Sequence, residues 1–420
     1  MKKTIFLVSL ILCTFFIVYF TNQDNNKYIA VYLDNIESAF IPDRNSNYVI
    51  DKVVCDNDTI GTWDYINWGL QISNVSKRSN CKLYFVTKDE ITIANTSIKI
   101  NEYGKCSKIN FDGTISVNQS ESENGYICQA PNDYGLSYYY RGNVKNNYVY
   151  FAGFYWRILR INGDESIRII YDGTSAHENG EISDDRIIGN SVFNEQTTDN
   201  CYVGYMYGTP DSSTYVETHA NVNDSTIKEY LNTWYENNIK NTSFADYLTD
   251  NIFCNDRTIN NSDYIKNSYP DYKNNGYSKN GTVYRWDKGP WNDSNSGNNN
   301  MLLYCLNNND KFSIANGNLT YPIGLITADE LLLSGIYRDY TSKYNFLCSS
   351  NNFWTMSASD YNERGWAGVQ IMNECTFANS GGMSVDNVKV KVKPVINIKK
   401  STLQFGDGTD SNPYRINKEL

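Results

Sequence analysis

The chain predicts an α+β fold: twisted antiparallel strands, few helices and long loops, with a small all-β domain ahead of the main one. Three observations carry this. Short β-branched and aromatic runs with period-two alternation recur between turn-forming Asn, Gly, Asp and Pro. Only two stretches repeat apolar residues at helical spacing. At 420 residues the chain is also too long for one ordinary core.

Residues 1–24 read as a signal anchor or signal peptide. Lys2 and Lys3 precede an apolar run, Thr4 to Phe20, of 17 residues, just enough to span a bilayer. No small-residue cleavage site follows Phe20, which favours an uncleaved anchor, a membrane partner and an extracytoplasmic remainder; cleavage would make the chain secreted. A lipoprotein reading centred on Cys13 is weak, because bulky Leu12 precedes it. Outside the membrane thiols pair. Nine cysteines follow Cys13, an odd number, so at least one stays unpaired. Cys55 with Cys81 and Cys106 with Cys128 are the local pairs to expect, and no CxxC occurs.

Residues 25–86 predict a small antiparallel β-sandwich from YIAVYLD, YVIDKVVC, WGLQISNV and CKLYFV, with Trp63 and Trp68 filling its core beside the first cysteine pair. Residues 87–140 read as a β-rich connector. Its Gln129 to Asp133 stretch invites comparison with lectin calcium motifs, but a Pro-Asn-Asp turn explains it more simply.

The main domain spans 141–399. It is organised around FAGFYWRILRINGDESIRIIYDG, from Phe151, whose two apolar runs flank Asn162-Gly163-Asp164-Glu165 and predict a hairpin with positive φ at the Asn-Gly pair. Arg157, Arg160 and Arg168 interrupt the apolar runs, so they point outward or meet carboxylates in a polar layer. Ile227, Tyr230, Leu231, Trp234 and Tyr235 predict a helix capped by Asp224 or Ser225 and packed on the central sheet. Ala328 to Leu333 predicts a shorter one, with Thr327 as cap and Asp329 and Glu330 in the first turn. Between them lies an Asn-, Tyr- and Gly-rich tract, roughly Arg257 to Asn318, too long for a neutral connector. Within it RWDKGPWND places Trp286 and Trp291 beside Asp287, Asn292 and Asp293. That grouping suits a sugar-stacking platform, or a calcium site using Asn292 and Asp293, against the blander reading of two Trp anchors. VKVKVKPVINI, from Val388, predicts a strand with lysines on its solvated face. Residues 400–420, with Gly406-Asp407-Gly408, predict a terminal hairpin.

The balance of 47 acidic and 37 basic residues, net charge −10, argues against a nucleic-acid partner. With His177 and His219 the only histidines, His-based catalysis and His-rich zinc sites have little material. The 35 tyrosines and abundant Asn favour a hydrogen-bonding surface, although codon bias produces the same enrichment.

FAGFYWRILRINGDESIRIIYDG, YVGYMYG from Tyr202, FCNDRT from Phe253, YPIGLITADELLLSG from Tyr321, FWTMSAS from Phe353 and VKPVINI from Val392 together resemble an uncharacterised bacterial cell-surface domain family. The resemblance covers roughly Tyr138 to Ile398. Its members often follow a membrane anchor and a small β-domain, and they are distantly similar to the formylglycine-generating-enzyme-like branch of the C-type lectin fold. The resemblance implies an irregular C-type-lectin-like main domain but no activity. Oxidases of that branch use a reactive Cys pair in a copper site, with no counterpart among Cys305, Cys348 and Cys375. Calcium lectins carry Trp-Asn-Asp shortly before a late Cys, whereas Trp291-Asn292-Asp293 lies upstream of FWTMSAS. The expected function is a non-catalytic surface module binding glycan or protein, with no cofactor other than the calcium considered above. The alternatives are a structural surface-assembly subunit or an extracytoplasmic enzyme: an oxidase, or a hydrolase drawing on Asp256, Asp287, Asp293, Asp329 and Glu330.

Overall fold

The computed structural model describes residues 28–43, 46, 48–64, 68–74, 79–87, 104–105, 125–212, 214–259, 278–279, 281–282, 301–336, 344–349, 352–362, 366–377, 382–399, 402–403 and 405–416. These residues form a mostly β structure with few helices. The chain divides into two compact units, 1–92 and 93–420.

In the first unit, β1 (Tyr28–Leu33), β2 (Ile36–Ser38), β3 (Tyr48–Cys55), β4 (Ile60–Asp64), β5 (Gly69–Ser73) and β6 (Asn80–Thr87) follow in order. A four-stranded sheet runs β2-β1-β6-β3, and β4 and β5 make a separate hairpin. Val31, Ile50, Leu83 and Phe85 are its core, against which Trp63, Trp68 and Leu70 pack. The Trp63 ring meets Phe85 edge-on at 5.2 Å. Cys55 and Cys81, opposite each other on β3 and β6, are disulfide-bonded. One expectation changes: β1 runs parallel to β6, so the sheet is mixed. The chain between them supplies the long crossover that a parallel neighbour requires.

The second unit contains β7 (Gly104–Lys105), β8 (Tyr126–Asn132), β9 (Gly135–Arg141), β10 (Tyr148–Phe151), β11 (Phe154–Ile161), β12 (Ile167–Gly173), β13 (Ile323–Gly324), β14 (Phe353–Asn362), β15 (Trp366–Asn373) and β16 (Val395–Ile398). Its main sheet has the order β13-β16-β12-β11-β9-β8-β7, with β10 also paired to β11. β8 and β9, which the sequence reading assigned to a connector, therefore belong to this sheet. A second sheet is built on β14 and β15, flanked by Ser278–Lys279, Thr376–Phe377 and Met383–Ser384.

The β11–β12 hairpin is the centre of the unit, and Trp156, Ile158, Ile167 and Ile169 are fully buried. Its turn differs from the expected one. Glu165, at φ +66°, adopts the left-handed conformation, not Gly163. Gly163 is there for space, because a Cβ would lie 2.4 Å from the backbone of Gly135.

Three helices are described: α1 (Tyr215–Thr218), α2 (Thr226–Tyr235) and α3 (Ala328–Leu333). Ser225 caps α2, accepting from Lys228 N at 3.3 Å. Trp234 packs its ring against Phe154, Tyr171 and Trp156 at 5.5, 5.9 and 6.3 Å, which docks the helix on the hairpin. Thr327 and Glu330 form a reciprocal capping box at α3, whose six residues are all buried.

The lysine run departs from expectation. Only Val395–Ile398 is strand, and Lys393 is fully buried with its ammonium 3.1 Å from Asp172. An alternation rule cannot see that a carboxylate waits on the covered face. In the tail, Phe405 bridges Arg415, and the segment docks on β10 through Tyr148 N to Gly408 O and Tyr150 N to Tyr414 O, both 2.8 Å. Among the described residues no helix is long and apolar enough to cross a membrane. The run Thr4 to Phe20 lies outside them.

Candidate functional site

Trp286, Asp287, Trp291, Asn292 and Asp293, and with them the calcium reading on Asn292 and Asp293, lie outside the described residues. What is described is the foot of the tract that carries them. Phe253–Cys254 pairs antiparallel with Lys311–Phe312, and Cys254 is disulfide-bonded to Cys305, 51 positions later. Beside this clasp the buried Arg257 guanidinium donates to Asp310 at 2.8 Å and to Met206 O at 2.9 Å. Asp329, on the first turn of α3, accepts from Leu302 N at 3.0 Å and from the Thr282 hydroxyl. One carboxylate thus holds two chain segments twenty positions apart. Gly281, at φ +50°, passes so close to Asp256 that a Cβ would lie 2.2 Å from its carbonyl oxygen.

Within this foot is a small polar cleft of about 20 Å³, room for a single water molecule or hydroxyl group. Asp133, Asp256 and Asp329 line it with Arg160, Arg168 and Ser357. Asp133, in the β8–β9 turn, accepts from Cys305 N at 3.0 Å and lies 3.1 Å from Lys311 Nζ. Burial outweighs these contacts and raises its carboxyl above the ordinary value. Arg160 and Arg168, from adjacent strands of the hairpin, converge on Glu330 at 2.8 and 2.6 Å. Burial opposes the Glu330 charge, yet the two arginines hold its carboxyl below the usual range. Burial pulls Arg160 down to about 10. Arg168 Nη1 is buried without a hydrogen-bond partner, while its guanidinium carbon lies 4.5 Å from the Phe253 ring centroid.

Of the acids proposed from sequence, Asp256 and Asp329 line the cleft and Glu330 stands behind it; Asp287 and Asp293 lie outside the described residues. The polar-layer alternative for the arginines is the one realised. Arg257 and Asp310 are residues the sequence does not single out, and Asp133 enters only as the end of the Gln129 to Asp133 stretch. Asp133 falls in a turn that the Pro-Asn-Asp reading explained by itself, and the signal for the other two was only their position at the ends of the long tract.

A second ionic centre surrounds Asp172. Arg186 Nη2, Lys393 Nζ and Arg157 Nη1 lie 2.8, 3.1 and 3.8 Å from its carboxylate, all fully buried. Burial opposes ionisation, but these three cations keep the Asp172 carboxyl below its ordinary value. Burial also pulls Lys393 down to about 8. The centre ties β11 and β12 to the segment entering β16, and its role is cohesion.

Both histidines are engaged. His177 sits between Glu181, 2.9 Å from Nδ1, and Asp185, 2.7 Å from Nε2. His219 stacks on Tyr215 at 3.7 Å, and burial drives its pKa well below the ordinary value. Cys348 is bonded to Cys375, and Cys128 is also in a disulfide, while Cys106 lies outside the described residues. Cys201 is free and buried, and burial with nearby Asp199 pushes its thiol pKa up. Among the described residues no group of three or more His, Cys, Asp or Glu is arranged to hold a metal ion.

Comparison with protein-family models, with curated proteins and with solved structures finds no match for the chain.

Proposed function

We propose that this is a membrane-anchored extracytoplasmic surface protein whose second unit, of C-type-lectin-like type, is a non-catalytic module for a glycan. The polar cleft at the foot of the Arg257 to Asn318 tract carries the reading. The cleft admits one hydroxyl group of a saccharide, which donates to the carboxylate of Asp133, Asp256 or Asp329 and accepts from Arg168 Nη1 in the same wall. The disulfides Cys55–Cys81, Cys254–Cys305 and Cys348–Cys375 fit an oxidising, extracellular setting. The test is a glycan array probed with the chain from Thr21 onward, with and without chelator. Binding to a defined glycan, weakened roughly tenfold by Asp256→Asn, supports the reading; silence across the array counts against it.

One observation favours a second reading, a carboxylate-based hydrolase. The carboxyl of Asp133 is raised by burial in a cleft that also holds Asp256 and Asp329, as a general acid requires. Under that reading a bound glycan is cleaved, and Asp133→Asn abolishes turnover even at saturating glycan, whereas under the first reading it only weakens binding.

A further inference from the structure

The first unit places apolar side chains in water where its sheet begins. β2 is an edge strand carrying Ile36, 73% exposed, and the chain leaving it carries Phe40 and Ile41, 75% and 44% exposed. β1 opens with Tyr28 and Ile29, 53% and 50% exposed. The antiparallel register that sets Val31 opposite Ser38 directs the chain after β2 back toward the start of β1. The Tyr28 hydroxyl donates to Glu37 Oε1 at 2.9 Å, which holds the two strand ends together. Ile29 shares its face of β1 with Val31, and Ile36 lies opposite Leu33 on that same face, so the rim is the uncovered margin of the core that Val31 forms with Leu83 and Phe85. Exposed apolar side chains gathered on two adjacent strands and the chain leaving them call for a partner.

The sequence indicates which. Seven residues, Thr21 to Lys27, separate the apolar run ending at Phe20 from Tyr28. Even fully extended they reach only about 25 Å. A chain anchored through that run therefore keeps the start of β1 within that distance of the bilayer surface. We propose that Ile29, Ile36, Phe40 and Ile41 form a second membrane contact, dipping into the outer part of the lipid layer and restraining the first unit against it. The proposal rests on the anchoring reading above. Asp34, Glu37 and Asp43 stand on the same segments, so the contact suits zwitterionic lipid and should gain nothing from anionic headgroups or low salt.

The experiment uses the full chain with a protease site replacing Thr21 to Asn26, reconstituted into phosphatidylcholine vesicles, cut, and floated on a density gradient. The expected result is that the cut chain stays with the vesicles, and that Ile36→Asp with Phe40→Asp lowers the retained fraction about tenfold. Both positions are exposed, and an unchanged urea midpoint for the variant confirms that its fold is kept. Equal release of the two proteins overturns the proposal. So does recovery of the cut chain as a dimer that the same substitutions dissociate, since a second copy would then cover the rim. Failure of the uncut chain to float removes the anchoring reading instead. Cut chain added to preformed vesicles then tests the rim directly, and absence of binding there overturns the contact.

Discussion

Arg160, Arg168 and Glu330 show how much a buried charge depends on its partners. Replacing one member of a buried pair strands the others, so Glu330→Ala is expected to cost about 3–5 kcal/mol, read as a lower urea midpoint. Glu330→Leu with Arg160→Met and Arg168→Met should recover much of that loss, because no charge is left unpaired. Acid should act through the same residues. The carboxyls of Asp172 and Glu330 titrate below their ordinary values in the folded chain, so their contribution is whole above the ordinary carboxylate range. It is lost as the pH falls through that range and below it. Urea midpoints measured from pH 6 down to pH 3 should therefore fall, and fall less steeply in Asp172→Asn. Arginines inside an apolar run leave two alternatives open, an outward orientation or a polar layer, and the second is the one realised. Their partners were not legible, because Glu330 lies 162 positions from Arg168 and Lys393 lies 221 from Asp172.

At the scale of elements, local chemistry was the best guide. The α3 boundaries and the Thr327 cap follow from a Thr-x-x-Glu box before an apolar run, and Ser225 does the same work for α2. Where tertiary contact decides, pattern failed. Gly163 was read as a turn glycine, yet the close approach of Gly135 requires it and Glu165 carries the left-handed conformation. Glu165→Gly should therefore raise stability by about 0.5–1 kcal/mol, the relief of the left-handed conformation less the added chain entropy. A denaturation midpoint that falls would show that the Glu165 side chain matters more than its backbone. The alternating lysines hold to the expected faces at Lys389, Val390 and Val392 and depart at Lys393, whose buried ammonium meets Asp172.

For the molecule as a whole, cysteine arithmetic foresaw at least one thiol left unpaired. The odd thiol is Cys201, buried and with a raised pKa. In the chain from Thr21 onward it should resist alkylation at pH 8 in the native state and react promptly in denaturant. Peptide mapping without reductant should recover Cys254 joined to Cys305. Modification of Cys201 at the rate of a free peptide thiol would show that its pocket is open. The parallel β1–β6 pairing and the entry of β8 and β9 into the main sheet were illegible, because strand runs carry no record of their neighbours. The clasp between Cys254 and Cys305 has a consequence for variation. A covalent bridge, the Arg257–Asp310 pair, the Asp329 tether and the Ser278–Lys279 pairing fix the stem, so the stretches 260–277 and 283–300 between these points can be exchanged or lengthened without loosening the scaffold. Related chains could diversify recognition by rewriting those stretches alone, and an engineer could graft a foreign peptide there in the same way.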